Sequence, residues 1–397
     1  MKTRRKFLKK SALIASSSLF VPRFLSAYEK ETDVNARSNK LVVIQLSGGN
    51  DGLNTVIPYR NDIYYRSRPN IAIPPNQVIQ ITDELGLNPY MNAILPLFDK
   101  NEMAILNNVG YPNPDRSHFR SMDIWHTASD SSEYLKTGWL GRMLDNCCPM
   151  NAGQHFGLEA SEILSLALKG RRMKGIAVED INRLYKTTKD PFLSNIATLH
   201  HNSGDTVDYL YKTLNDTRRS VEYLKAKADL YSSKTEYPQN PLSRNMNGIA
   251  QLINAGAETK VYYVSLAGFD THALQFNKQN KLLETLSDSL AAFIRDLRSG
   301  GQLNSTLIMV FSEFGRRVKE NGSQGTDHGT ANNVWLLGGN LKKAGFLNEG
   351  PDLGQLDNDD LIYTLDFRSI YATILDNWLG VSSEKVLGKK YENLGFV

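Results

Sequence analysis

The chain has 397 residues, 41% hydrophobic and 22% charged, which is ample for one large core and excludes a disordered or collagen-like class. Two cysteines are too few for a disulfide framework. The formal charge of +4 arises in the first 27 residues, which hold seven basic and no acidic side chains; the remainder carries −3, which argues against a nucleic-acid partner.

Taken in chain order, Thr3-Arg4-Arg5-Lys6-Phe7-Leu8-Lys9 fits a twin-arginine export signal. The apolar stretch Ser11–Val21 is too short and too serine-rich to span a bilayer, and Leu25-Ser26-Ala27 resembles a cleavage site. Residues 1–27 are therefore read as a signal peptide. The expected location is periplasmic or secreted, with the twin-arginine translocase as partner during export of an already folded chain. The polar residues 28–40 read as a linker, and 41–397 as one domain.

Leu41–Leu46 is an almost continuous apolar run, the pattern of a parallel strand covered on both faces. Gly48 and Gly49 allow a sharp turn, after which Asp51 emerges either as a metal ligand or as a cap on the next segment. A helical or loop stretch through Asn92–Leu97 precedes a second strand, Glu102–Val109. Two prolines then delay a helix, with Ser117 near its first turn. Ser117 is either the helix cap or a hydroxyl nucleophile activated by a metal. Gly138–Leu144 starts another helix. Residues 178–235 are polar with helical spacing, an insertion that is either a lid or a peripheral helix pair.

Amphipathic helices at 241–255 and 274–299 flank a strand from Val261 that ends in Gly268, Asp270 and His272. A third strand, within Ser305–Phe311, ends in Glu313, Gly315 and Arg316. Asp327-His328-Gly329 begins fourteen residues after Glu313. Strand–helix–strand alternation argues for a mainly parallel α/β sandwich. Carboxylates and imidazoles converging at strand ends without cysteine suit a divalent metal. His126, His155, His200 and His201 lie outside these motifs and read as surface or packing residues.

The leader, Gly48-Gly49-Asn50-Asp51-Gly52-Leu53-Asn54, Arg116-Ser117-His118-Phe119, Phe269-Asp270-Thr271-His272, Ser312-Glu313-Phe314-Gly315-Arg316 and Asp327-His328-Gly329 together resemble the DUF1501 family of exported bacterial proteins. That family is similar to the alkaline phosphatase and sulfatase superfamily. The resemblance implies an α/β, alkaline-phosphatase-like sandwich: a mainly parallel sheet covered by helices on both faces, with the helical insertion at about 178–235. It implies two divalent ions, with zinc, manganese, magnesium and calcium left open, held by Asp51, Asp270, His272, Glu313 and His328. Ser117 stands at the nucleophile's place. Asn54, Arg116, His118 and Arg316 suit anion binding, since guanidinium pairs well with phosphate oxygens. Phe314 stands where a ligand histidine is common. Cys147-Cys148-Pro149-Met150-Asn151 keeps a Cys-x-Pro core but has Asn151 in place of the arginine of formylglycine sulfatases, so an enzyme of that kind is not expected. Two function classes follow. One is an exported metal-dependent hydrolase that uses a serine on a small phosphate or sulfate ester. The other is a non-catalytic secreted binding or assembly protein that keeps the fold.

Overall fold

The computed structural model describes residues 39–148, 153–191 and 205–397. The expected signal peptide, the expected linker up to residue 38, His200 and His201 lie outside the described residues. The linker ends earlier than expected. Lys40 already opens strand β1 (Lys40–Ser47), and the buried Asn39 amide donates to the Trp378 carbonyl at 3.0 Å.

The main sheet also contains β2 (Met103–Gly110), β3 (Gly157–Glu159), β4 (Ile176–Ala177), β5 (Val261–Ala267), β6 (Thr306–Phe311), β7 (Asn332–Gly338), β8 (Gly345–Phe346) and β9 (Leu365–Asp366). Its order is β8-β2-β7-β6-β1-β5-β3-β4, with β9 also paired to β2. β1 lies parallel to β5, with Leu41 opposite Val261 and Ser47 opposite Ala267, and parallel to β6, with Lys40 opposite Thr306. β7 runs antiparallel to both its neighbours, β6 and β2. Consequently β2, β6, β1 and β5 all leave the sheet at one edge, and β7 enters from that edge. The loops that carry the candidate residues therefore meet there, where α/β sheets place ligands.

The helices are α1 (Asp62–Ser67), α2 (His118–Thr127), α3 (Trp139–Cys147), α4 (Ile181–Thr188), α5 (Asp205–Ala228), α6 (Pro241–Asn254), α7 (Gln275–Ser299) and α8 (Phe367–Thr373). Alternate residues of β1 face opposite layers. Val42, Ile44 and Leu46 pack with Met246 and Ile249 of α6 and with Leu286 and Phe293 of α7. Leu41 and Val43 pack with Trp125 of α2, Leu140 of α3 and Tyr371 of α8. This two-sided cover explains the near-continuous apolar run, and each such side chain contributes roughly 1.5–3 kcal/mol by leaving water. Gln45 is the polar exception. Its side-chain oxygen accepts the Tyr263 hydroxyl at 2.6 Å and lies 3.3 Å from His126 Nε2. The expected mainly parallel α/β sandwich is therefore what forms.

The insertion contributes α4 and α5. Val221 and Leu224 of α5 enter the layer that holds α6 and α7, and the Tyr223 hydroxyl accepts the amide N–H of Glu258, just before β5 begins. Among the described residues of the insertion, these contacts lie at the end of the sheet opposite the candidate loops and are those of a peripheral helix pair. Among the described residues, no helix is long and apolar enough to cross a membrane.

Candidate metal centre

Three turns are pressed together at the ligand edge, and glycine makes this possible. A Cβ on Gly48, at φ +117°, would stand 2.4 Å from the Asp270 nitrogen. A Cβ on Gly49, at φ +76°, would overlap the Phe314 ring. Only glycine accepts both the backbone conformation and the crowding. The β1 turn thus seats directly against the turns that follow β5 and β6.

Asp270 is the hub of the site. Its Oδ1 lies 3.0 Å from His272 Nε2, 3.1 Å from His328 Nε2 and 3.5 Å from His118 Nε2. Arg316 Nη2 donates to the same oxygen at 2.8 Å. His272 Nε2 and His328 Nε2 are 3.0 Å apart. The other nitrogen of each ring faces an acceptor. His118 Nδ1 meets Glu313 Oε1 at 3.0 Å, His272 Nδ1 meets Asp327 Oδ1 at 3.3 Å, and His328 Nδ1 meets the Arg116 carbonyl at 2.8 Å. A carbonyl or carboxylate can only accept, so each Nδ1 is placed to donate, and in the neutral ring each Nε2 then presents a lone pair to the cluster. His118 Nε2 is buried without a hydrogen-bond partner. His118, Asp270 and His328 each offer one ligand atom within 4.8 Å of the others, a group that can hold a metal ion.

The electrostatics match this geometry. Burial opposes ionisation of Asp270, but the Arg316 guanidinium and the neighbouring His328 and His272 imidazoles outweigh it and hold the carboxyl down to about 2. The hydrogen bond that His118 Nδ1 donates to the Glu313 carboxylate raises the His118 pKa. Burial lowers the His328 pKa. Phe314 forms an apolar wall, its ring 4.9 Å from that of His118 and 4.7 Å from that of His328. It packs against the imidazoles in the position where a further ligand was sought.

Other candidates are placed differently. Asp51 is fully buried and stands apart from the cluster. Its Oδ2 pairs with Arg68 Nη1 at 2.6 Å and accepts the Gln275 amide, while Oδ1 caps Leu53 N at 3.2 Å. Its carboxylate is thus occupied, a correction to its expected ligand role. Asn54 is buried and spends its side chain on Ile71 O, Tyr64 OH and Arg68, so it does not face an anion. Arg316 is likewise buried and committed to Gly48 O, Gly49 O, Thr326 O, Phe269 O and Asp270. It charges Asp270 from behind instead of reaching out to a substrate. Glu313 is buried, accepts the Gly48 N–H at 2.8 Å and orients His118; it stands one shell back from the cluster. His118, expected to hold an anion, is itself a cluster member.

Ser117 is the exposed N-cap of α2 and makes no side-chain cap bond. Its N–H donates to Asp115 Oδ1 at 2.7 Å, so that donor is already taken. Arg116 is partly exposed and pairs with the buried Asp360. Asp327 and Arg68 have roles that the sequence reading did not assign. Asp327 sat inside a recognised motif, whereas Arg68 follows a short helix with no distinguishing pattern. His126 and His155 are buried packing residues. Cys147 and Cys148 are free thiols.

A family model described as "Protein of unknown function (DUF1501)" matches residues 38–391. No curated protein matches the chain in sequence. Among solved structures, the chain is similar to the lipoteichoic acid synthase LtaP from Listeria monocytogenes, at 10% identity over 92% of this chain and 78% of that chain, with a TM-score of 0.40. It is similar to the sulfatase PsFucS1 from Pseudoalteromonas sp., at 13% identity over 90% and 70%, with a TM-score of 0.34. It is also similar to a protein in the alkaline phosphatase superfamily from Vibrio parahaemolyticus, at 10% identity over 88% and 69%, with a TM-score of 0.37. The sheet order and registers described above rest on the chain's own geometry.

Proposed function

The chain belongs to the DUF1501 family, and we propose that it is an exported hydrolase of phosphate or sulfate esters that depends on a divalent metal. One observation carries this reading: three Nε2 atoms approach Asp270 Oδ1 at 3.0–3.5 Å while each ring is held from behind by an acceptor. Lone pairs and a carboxylate this close repel one another without a cation between them. Ligand atoms about 2.1 Å from a tetrahedral ion lie about 3.4 Å apart, close to these spacings. The nitrogen-rich set suits zinc better than magnesium, calcium or manganese, which prefer oxygen. It supports one ion where two were expected, because Arg68 already neutralises Asp51.

In this reading His118, His272, His328 and Asp270 hold the ion, and Glu313 and Asp327 orient His118 and His272. When bound, the ion would supply Lewis-acid stabilisation of a phosphoryl or sulfuryl oxygen. Ser117, one residue from His118, supplies the hydroxyl nucleophile, and its freedom from capping supports that role. Arg116 contributes positive charge at the mouth, partly offset by Asp360.

The test is an ester panel with Zn²⁺, Mn²⁺, Mg²⁺ and Ca²⁺. Ser117→Ala should lower turnover by several orders of magnitude with metal content and melting temperature intact. The alternative is a binding or assembly protein without catalysis, favoured by the Arg68 guanidinium paired with Asp51. It takes over if wild type turns over no ester with any of the four ions. Export rests on the leader: Arg4→Lys with Arg5→Lys should strand the precursor in the cytoplasm, and continued export would defeat that part of the reading.

A further inference from the structure

Seven large apolar or aromatic side chains are exposed among the described residues, and three of them lie within two residues in sequence of His118, His272 or Asp360. Phe119 directly follows His118 and is 84% exposed. Leu274 comes two residues after His272 and is 66% exposed. Ile362 comes two residues after Asp360, the partner of Arg116, and is 46% exposed. Single exposed apolar residues need no explanation, but three on the segments that also carry His118, His272 and the partner of Arg116 do.

Leu274 is unusual in a second way. It sits at φ +48°, ψ +45°, at the start of α7 and without a side-chain cap bond. This left-handed region is unfavourable for a branched side chain, and burial does not compensate because most of the side chain is in solvent. Glycine or asparagine would be the more stable choice there. Strain without a packing return, beside a candidate ligand, points to function.

We propose that Phe119, Leu274 and Ile362 form an apolar rim that selects anionic esters bearing an alkyl or aryl group over small or sugar-like ones. The inference rests on the reading of the cluster as an anion-binding metal centre. It assigns the charged head of the ligand to the ion and Arg116, and the apolar tail to the rim. Convergent polar groups at the centre of a site with apolar walls are the usual division of labour in small-molecule recognition.

Calorimetric titration of the Zn²⁺-loaded mature chain with methyl phosphate and with octyl phosphate below its micelle concentration tests this. Wild type should bind octyl phosphate about tenfold more tightly, in line with a few methylenes covered by apolar surface. Phe119→Ser with Leu274→Gly should cut that preference to about twofold or less. Leu230→Ser, at an exposed leucine after α5, should preserve it. Leu274→Gly alone should raise the melting temperature of metal-free protein, because it releases backbone strain; a leucine kept for packing would lower it. Equal binding of both phosphates by wild type, or a preference that survives the double variant, overturns the rim while leaving the metal centre standing. Failure to bind either phosphate, with Zn²⁺ still bound, overturns the anion site and the rim with it. An intact octyl preference without ester turnover keeps the rim and removes only the hydrolase reading.

Discussion

Asp51 and Asp270 follow the same pattern, an apolar strand running into glycine and then a carboxylate, and they leave adjacent parallel strands whose ends are in register at Ser47 and Ala267. Their surroundings diverge. Asp51 is sealed, with Arg68 and Gln275 on its oxygens and none of its surface in water. The Asp270 side chain is 49% exposed and gathers three imidazoles as well as Arg316. The strand-end motif supplies the carboxylate, but the groups that other segments bring to it decide whether it serves the fold or a ligand. A guanidinium closes the first site; imidazoles with inward lone pairs leave the second ready for a cation.

Breaking the sealed pair should have the largest effect. Arg68→Met leaves Asp51 charged, buried and unpaired, and should cost about 3–5 kcal/mol in denaturant unfolding. Replacing both partners, Asp51→Asn with Arg68→Met, should recover much of that loss. A small loss from Arg68→Met alone would show that Asp51 has another route to compensation.

The sealed interior also contains an imidazole, His126, to set against those of the cluster. Burial depresses its pKa to about 4, so the folded state holds it neutral. The folded value lies below the unfolded one, so the stabilisation is complete above about pH 6.5 and is lost as pH falls from about 6.5 towards 4. The full loss should approach about 3 kcal/mol. Unfolding curves at pH 7 and pH 4.5 should show most of it, and His126→Gln should flatten that slope. An unchanged slope would assign the acid sensitivity to other groups.

At the open site the metal should matter more than the ion pairs. Zn²⁺ at one hundred times its Kd should stabilise wild type by about 2.7 kcal/mol, and Asp270→Asn should abolish that response. Without metal, Asp270→Asn should cost less than about 1 kcal/mol, since half-exposed pairs are screened by water. Differential scanning with and without Zn²⁺ separates the two contributions. The smallest expected effect is the stability change of Ser117→Ala, within about 0.5 kcal/mol because the hydroxyl makes no cap bond. A loss near 1 kcal/mol would restore the capping role.

The sequence was most legible where local pattern and tertiary role coincide. Leu41–Leu46, Met103–Leu106, Val261–Val264 and Thr306–Phe311 are largely apolar runs buried on both sides of the sheet, so their pattern survives folding. β7 escaped notice because it opens with Asn332 and Asn333, whose polar side chains are buried against Asn50 O, Phe314 O and Gly52 O. β3 and β4, at three and two residues, are too short to carry a period. In the site, the convergence of Asp270 and His272 was legible from their strand-end position, and His328 only through the family resemblance. Glu313 and His118 were singled out, but their division of labour depends on which ring nitrogen points inward, and that is set by contacts 195 residues apart. Between ligand and cap at Asp51 the cap prevails, and the partner that decides it, Arg68, comes from the end of a helix six residues long that carries no pattern.

The most direct test is divalent metal per chain, measured by elemental analysis after loading and desalting. Three proteins should be compared: wild type, Asp51→Asn with Arg68→Met, and His118→Ala with His328→Ala. Wild type and the sealed-pair variant should each hold about one zinc ion, and the cluster variant none. Metal lost with the sealed pair, or retained by the cluster variant, would contradict the account.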